Sequence, residues 1–428
     1  MERIVESSRF RIFRIGTVYI YILFLFLFNS YTFSKVYTLN NSDFNEFKQT
    51  VNNSLRKDTI ILNGGLIKGT GITIEKPITI IGKNNVIIDA EMKSGDLFRI
   101  QSDSVTIENL KILNVPKSHT TENAAVKVIK SKFVKLDNIK TENCFFGFYL
   151  KETSYSMLSN NSMRGNKQKE TSSGNGIHLW KCNNVTISNN SMHFHRDGIY
   201  FEFVKNSKIL NNYSQNNIRY GLHFMFSDSC TYIGNTFYKN GAGVAVMYSK
   251  NVFMKNNTFK ENWGTTSYGI LLKDIKDSKI LHNRFMNNTI GILAEGSNRV
   301  LIEENTFNRN GWGLKIMGNC IDNKILSNNF IGNSFDLSTN TMENYNFYEG
   351  NYWSNYKGYD LNKDGVGDVP FYPVSLFSVI VQNSPPAMIL MHSLFINVLE
   401  ISEKIFPSLI PKKVIDLKPM MRKIDDKI

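Results

Sequence analysis

Seven glycines recur at nearly one spacing, and that period leaves the chain few architectures to choose from. They are Gly176, Gly198, Gly221, Gly243, Gly269, Gly291 and Gly313, at intervals of 22, 23, 22, 26, 22 and 22. Each opens a short apolar strand, from GIHLW at 176–180 to GLKIM at 313–317. Further along each repeat comes an Asn-rich turn: NNS at 189–191, NNY at 211–213, GNT at 234–236, NNT at 256–258, HNR at 282–284 and ENT at 304–306. A period near 22 with several short strands per repeat predicts an all-β solenoid, a right-handed parallel β-helix. One coil cannot bury its own apolar face, so coils stack. Equivalent residues then form ladders about 4.8 Å apart. A carboxamide both donates and accepts, so stacked Asn side chains satisfy one another inside a tight turn.

The chain has 428 residues, 42% hydrophobic and 20% charged, enough to bury a large core in one elongated solenoid. Arg9, Arg11 and Arg14 precede an apolar run from Ile15 to Phe28, and Ser34 follows. This order predicts a signal peptide over residues 1–34, cleaved near Ser34, with an uncleaved anchor as the alternative because Thr32 and Phe33 make an imperfect cleavage site, and an exported body either way. Beyond it, no stretch reaches the roughly 18 to 20 apolar residues of a spanning helix. Losing four Arg and two Glu with the leader leaves about +11 of the formal +13. Without aromatic–basic clusters, that balance points to an acidic partner or an anionic membrane surface rather than to nucleic acid. Cys144, Cys182, Cys230 and Cys320 show no CxxC spacing and are expected to be buried thiols.

The expected zones are an N-terminal cap at 35–57, coils at 58–348, a Tyr/Asp/Gly loop at 349–373 and an apolar, Pro-punctuated tail at 374–428. Within the cap, Asp43 to Leu55 has helical periodicity, with Asp43 and Glu46 placed as a capping pair. Along the strands, alternation sends Ile177, Leu179, Ile199, Phe201, Leu222, Phe224, Phe226, Val244 and Val246 inward. One outward ladder is Trp180, Glu202, Met225, Met247 and Lys273, and its neighbour is His178, Tyr200, His223 and Ala245.

Met225 and Met247 on adjacent coils, with His223 on the same face, form a soft donor set suited to Cu(I). After the coils, Asp360-Leu-Asn362-Lys-Asp364-Gly365 matches the start of a calcium loop, with Asp368 at its ninth position and no Glu at its twelfth. Ca2+ is therefore the second cation the sequence suggests, beside an ordinary Asx-turn loop.

The segments HRDGIYFEF (195–203), RYGLHFMFS (219–227), GAGVAVMYSKN (241–251), GNYWSNYKGYDLNKDGVGDVPFYPVSLF (350–377) and KKVIDLKPMMRK (412–423) resemble the NosD family. That resemblance spans essentially the whole mature chain. It implies a periplasmic accessory protein that helps build the copper–sulfide centre of nitrous oxide reductase; separately, no residue has the look of a nucleophile or an acid–base pair, so the chain reads as a non-enzyme. Its implied partners are an ABC transporter (permease and ATPase), a copper-chaperone lipoprotein and the reductase. Membrane association would come through the transporter. The partner-facing residues so implied are His178, Trp180, His195, Arg196, Asp197 and Glu202 on the coils, and Phe377, Leu394, Phe395 and Leu399 in the tail. Two alternatives share the fold: a β-helix polysaccharide lyase or hydrolase, and a glycan-binding solenoid using Trp180, Tyr200 and Trp263.

Overall fold

The computed structural model describes residues 34–424 apart from 42, 119–120, 167–168, 392, 407–409 and 412. The expected leader, but for Ser34, lies outside the described residues. The coils form a parallel β-helix of three sheets with 14, 13 and 12 strands. A typical coil runs through Thr186–Ser188 in the first sheet, Ser191–His193 in the second and Ile199–Glu202 in the third.

Close approach explains the glycine period. At Gly176, Gly198, Gly221, Gly243, Gly269, Gly291 and Gly313, an added Cβ would stand 2.4–2.7 Å from a carbonyl oxygen of the next coil. No side chain fits there, although none of these glycines has positive φ. Five of them also border a phenylalanine stack inside the coils. Phe237, Phe259, Phe285, Phe307, Phe330 and Trp353 lie ring on ring, with centroids 4.3–5.3 Å apart.

The Asn turns form two ladders. In the first, Asn161, Asn190, Asn212, Asn235, Asn257, Asn283, Asn305, Asn328 and Asn351 each donate Nδ2 to the Oδ1 of the next, at 2.9–3.0 Å. The last amide donates to Asp416 Oδ2 at 3.0 Å. That carboxylate, fully buried, also accepts from Trp353 Nε1. The second ladder runs through Asn217, Asn240, Asn262, Asn288, Asn310 and Asn333 at the opposite corner.

Both ends are covered. Helix α1 (Phe44–Asn53) starts with Asp43 Oδ1 accepting from the Glu46 amide at 2.8 Å, and it buries Phe47 and Val51 over the first coil. The expected cap zone also contains a strand, Val36–Asn40, which pairs with Thr59–Asn63, so the first sheet begins before the helix. At the other end the sheets continue to Tyr352–Trp353, a few residues past the expected limit. The tail divides there. Helices α2 (Leu376–Asn383) and α3 (Leu394–Ile405) leave the end of the solenoid, and residues 410–424 return to close the last coil through bridges of Asp416 to Tyr348 and of Met420 to Tyr352.

The two outward ladders pair as the alternation predicts: Trp180–Glu202–Met225–Met247–Lys273 and His178–Tyr200–His223–Ala245. One inward assignment fails. Phe226 is 41% exposed, because its strand ends at Met225 and the next residue turns the corner with φ 50°. There it stacks between Phe203 and Tyr248.

Candidate functional site

The expected site residues gather on the outer face of the twelve-stranded sheet, whose two halves differ. From Ala245 onward the face is covered. Ala245, Leu271, Leu293, Trp312 and Phe335 are buried in a second apolar core completed by Phe377 and Val381 of α2, with Leu399 of α3 packed against it. The tail residues expected to meet a partner therefore separate. Phe377 is buried with its ring 5.8 Å from that of Phe335, and Leu399 faces the sheet. Leu394 and Phe395 remain exposed, in line with Val398, Ile401 and Ile405 on the outer side of α3.

The half before Ala245 buries polar groups. Tyr149, His178, Tyr200 and His223 occupy one ladder with ring centroids 4.7, 4.7 and 4.9 Å apart. Beside it Asp197 is fully buried. Its Oδ1 accepts from the Tyr220 amide at 3.2 Å. Arg196 Nε and His223 Nδ1 stand 3.7 and 3.8 Å from its Oδ2, and Arg219 Nε is 3.8 Å from its Oδ1. These gaps exceed hydrogen-bond reach. Arg196 Nε, Asp197 Oδ2 and both ring nitrogens of His223 consequently lack partners. A second buried carboxylate, Asp96, sits between Arg99 and Lys127 at 2.6 and 3.3 Å. Two connections wall this half: Asn175 meets His178 Nδ1 at 3.1 Å, and Glu170 meets Arg219 at 3.3 Å.

Burial sets the proton affinities. Desolvation, with Arg196 nearby, pulls His178 down to about 3, and burial pulls His195 to about 4, so both rings are neutral at ordinary pH. Burial, then Glu202 and Asp197, pushes Tyr200 up to about 12. The four cysteines are buried free thiols, and burial raises Cys144, Cys182 and Cys230 to about 12.

Several expectations need correction. His195, Asp197 and His223 are 1%, 0% and 4% exposed, so the first two present no surface to a docked protein. They lie where the chain turns inward or beneath neighbouring rings, and strand alternation does not describe that. Arg196, Glu202, His178 and Trp180 stay partly accessible. The ammonium groups of Lys151 and Lys181 lie 4.8 and 4.4 Å from the Trp180 ring centre.

Asp360, Asn362, Asp364 and Asp368 do share a loop, but their oxygens accept backbone amides of Leu361, Asp364, Gly365 and Val366. Among the described residues no three His, Cys, Asp or Glu side chains are arranged to hold a metal ion. For Cu(I) the structure brings Met225 and Met247 side by side, half-buried, at the edge of the tail cover. His223 is the preceding outward residue of the Met225 strand.

Sequence reasoning missed Tyr149, Arg219 and Tyr220. A signal existed, because Arg196 and Arg219 each stand two residues before a ladder glycine.

Residues 159–358 match the family described as "Periplasmic copper-binding protein (NosD)". A relative from Stutzerimonas stutzeri, described as a probable ABC transporter binding protein NosD, is 26% identical over 376 residues, covering 83% of this chain and 85% of its own. Its counterpart from Pseudomonas aeruginosa, with the same description, is 27% identical over 349 residues, covering 77% and 80%. Among solved structures, a Family 28 exopolygalacturonase from Yersinia enterocolitica superposes with a TM-score of 0.56 at 10% identity, over 74% of this chain and 78% of its own. At that identity the likeness is one of fold alone.

Proposed function

The chain carries a NosD-family domain across residues 159–358, and on that premise we propose that it is a periplasmic accessory protein of an ABC transporter. In this reading it serves the assembly of the copper–sulfide centre of nitrous oxide reductase, accepting and relaying Cu(I) or docking the lipoprotein chaperone that brings it. The observation that carries the proposal is the in-register pair Met225–Met247, with His223 beside it holding two buried ring nitrogens that have no protein partner. Thioether and imidazole together are soft donors suited to Cu(I). The pair lies where the tail cover begins, with Met247 packed against that second core.

The exposed side of α3 supports a docking role toward the transporter permease, with Leu394, Phe395, Val398, Ile401 and Ile405 in one apolar stripe. No helix among the described residues is long and apolar enough to cross a membrane, which suits attachment through a partner. A polysaccharide-cleaving role would need two carboxylates facing one groove. On this face Asp197 is sealed, so it cannot serve as one of them.

The test is an anaerobic Cu(I) titration against a chromophoric chelator, with wild type beside a variant carrying His223→Ala, Met225→Ala and Met247→Ala. Tight binding lost in the variant is the expected result. No binding by the wild type would remove the relay role and leave docking alone.

A further inference from the structure

Three bulky side chains stand at a corner whose backbone suits none of them. Each strand of the third sheet is followed by a residue that turns the chain with positive φ. Along successive coils that column reads Lys181, Phe203, Phe226, Tyr248, Asp274 and Gly296. Left-handed backbone favours Gly and Asn, and elsewhere the solenoid fills it most often with Asn. Phe203, Phe226 and Tyr248 adopt it at φ 56°, 50° and 52°. Burial does not repay the strain. The rings stack with centroids 5.3 and 5.1 Å apart, yet they stay 42%, 41% and 41% exposed. Bulky residues held in a strained conformation outside the core point to a use on the surface.

The rings border the two thioethers. Phe226 and Tyr248 directly follow Met225 and Met247, and Phe203 follows Glu202 on the coil before. The preceding outward residues on the methionine strands, His223 and Ala245, are buried, and the tail cover begins at Ala245. Across the sheet, the aromatic corner is therefore the open flank of the methionine pair.

Charge defines the rim. Lys181 stands on the rung before Phe203, and the next corner column carries Lys205, Lys250 and Lys276, all four exposed. Two acids share the corner. Asp228, half-buried, accepts the Lys250 amide at 3.0 Å, and Asp274 is exposed. The rim is basic on balance and complements an acidic surface.

We propose that this corner docks the protein that delivers Cu(I) to Met225 and Met247, a partner whose contact patch is apolar at its centre and acidic at its edge. The inference rests on the Cu(I) reading above and adds the surface by which the ion arrives. Both faces of Phe226, and one face each of Phe203 and Tyr248, are taken by stacking. The corner thus presents a row of ring edges, a shape for apolar side chains of another protein. Aromatic anchors at the centre and charge at the rim are how protein contacts are commonly built.

The probe is the copper-chaperone lipoprotein, prepared without its lipid and loaded with Cu(I), flowed over the immobilised chain. Cu(I) affinity is measured in parallel with the chelator. Phe203→Asn, Phe226→Asn and Tyr248→Asn together should weaken chaperone binding about tenfold. The same variant should keep its Cu(I) affinity and melting temperature, because Asn tolerates left-handed φ. Lys205→Glu with Lys250→Glu should slow association. Phe133→Asn with Tyr155→Asn is the control. That pair is also stacked, at 5.5 Å, exposed and left-handed, but it lies on earlier coils, and its loss should change nothing. Undiminished chaperone binding by the triple variant, or an equal loss in the control, overturns the docking surface and leaves the Cu(I) site standing. Vesicle binding or self-association that the triple variant alone loses would reassign the corner to lipid or to a second copy. A wild type that takes no Cu(I) from the chelator sinks the relay reading, and this surface falls with it.

Discussion

Along one ladder of the twelve-stranded sheet, the outward residues change character between two adjacent coils. Lys127, Tyr149, His178, Tyr200 and His223 lead to Ala245, Leu271 and Leu293. The aliphatic half is buried because α2 and α3 lie on it, and its stability is that of an ordinary apolar core. The polar half has no helical cover. It is sealed by ring-on-ring contact and by two carboxylates, Asp96 and Asp197, each set between two cations. Small aliphatic side chains accept a helix on top of them. Large rings and paired charges fill the same depth themselves and leave the face open to a ligand. The two methionines stand on the boundary, where an accessible thioether and a packed one are neighbours.

If the covered half is a true second core, Phe377→Ala should cost the most, about 3–5 kcal/mol, as for other buried phenylalanines. Chemical denaturation would show it, and a loss below about 1 kcal/mol would break the comparison. In the polar half Asp197→Ala should cost less, about 2 kcal/mol, by stranding Arg196, Arg219 and the Tyr220 amide. Asp197→Asn, which keeps the amide contact, should recover part of it in the same assay.

Acid should distinguish the halves more gently. The folded-state affinities of His178 and His195 lie at about 3 and about 4, below the unfolded value near 6.5. The unfolded chain therefore takes up protons first, and stability falls as pH drops from about 6.5 toward about 4. Melting curves of His178→Gln should show a shallower fall over that window, and an unchanged slope would remove the imidazole from the argument. The smallest effect on folding should come from the outer side of α3. Leu394→Ser should stay within about 0.5 kcal/mol of wild type. Co-purification with the transporter permease should nevertheless drop, and undiminished capture would move the docking surface elsewhere.

Much of this was readable from residue spacing, because a ladder states its own register. The glycine period located the close-approach column, and alternation placed Met225 beside Met247 before any coordinates. What alternation cannot say is what lies beyond the outward side. Ala245 and Leu271 look like any other outward residues until α2 and α3 are laid over them. Alternation also stops at strand ends, and so Phe226 came out of the core and His195 and Asp197 went in. The loop from Asp360 to Asp368 poses a different problem. The residue spacing that supplies oxygens to a cation supplies the same oxygens to backbone amides in an Asx turn, and sequence does not separate the two.

Every amide of the first Asn ladder donates toward the C-terminal end, so the row has a direction and must finish on a group that only accepts. Asp416 is that group, and the residues around it also pair with the last rungs of two sheets. The terminator thus comes from a segment 65 positions downstream of the rung it closes. Without it, the solenoid would end in open strand edges, a template that the first coil of another copy would fit. A chain cut short of Asp416 should therefore associate end to end, and size-exclusion chromatography that finds it monomeric would remove the capping role.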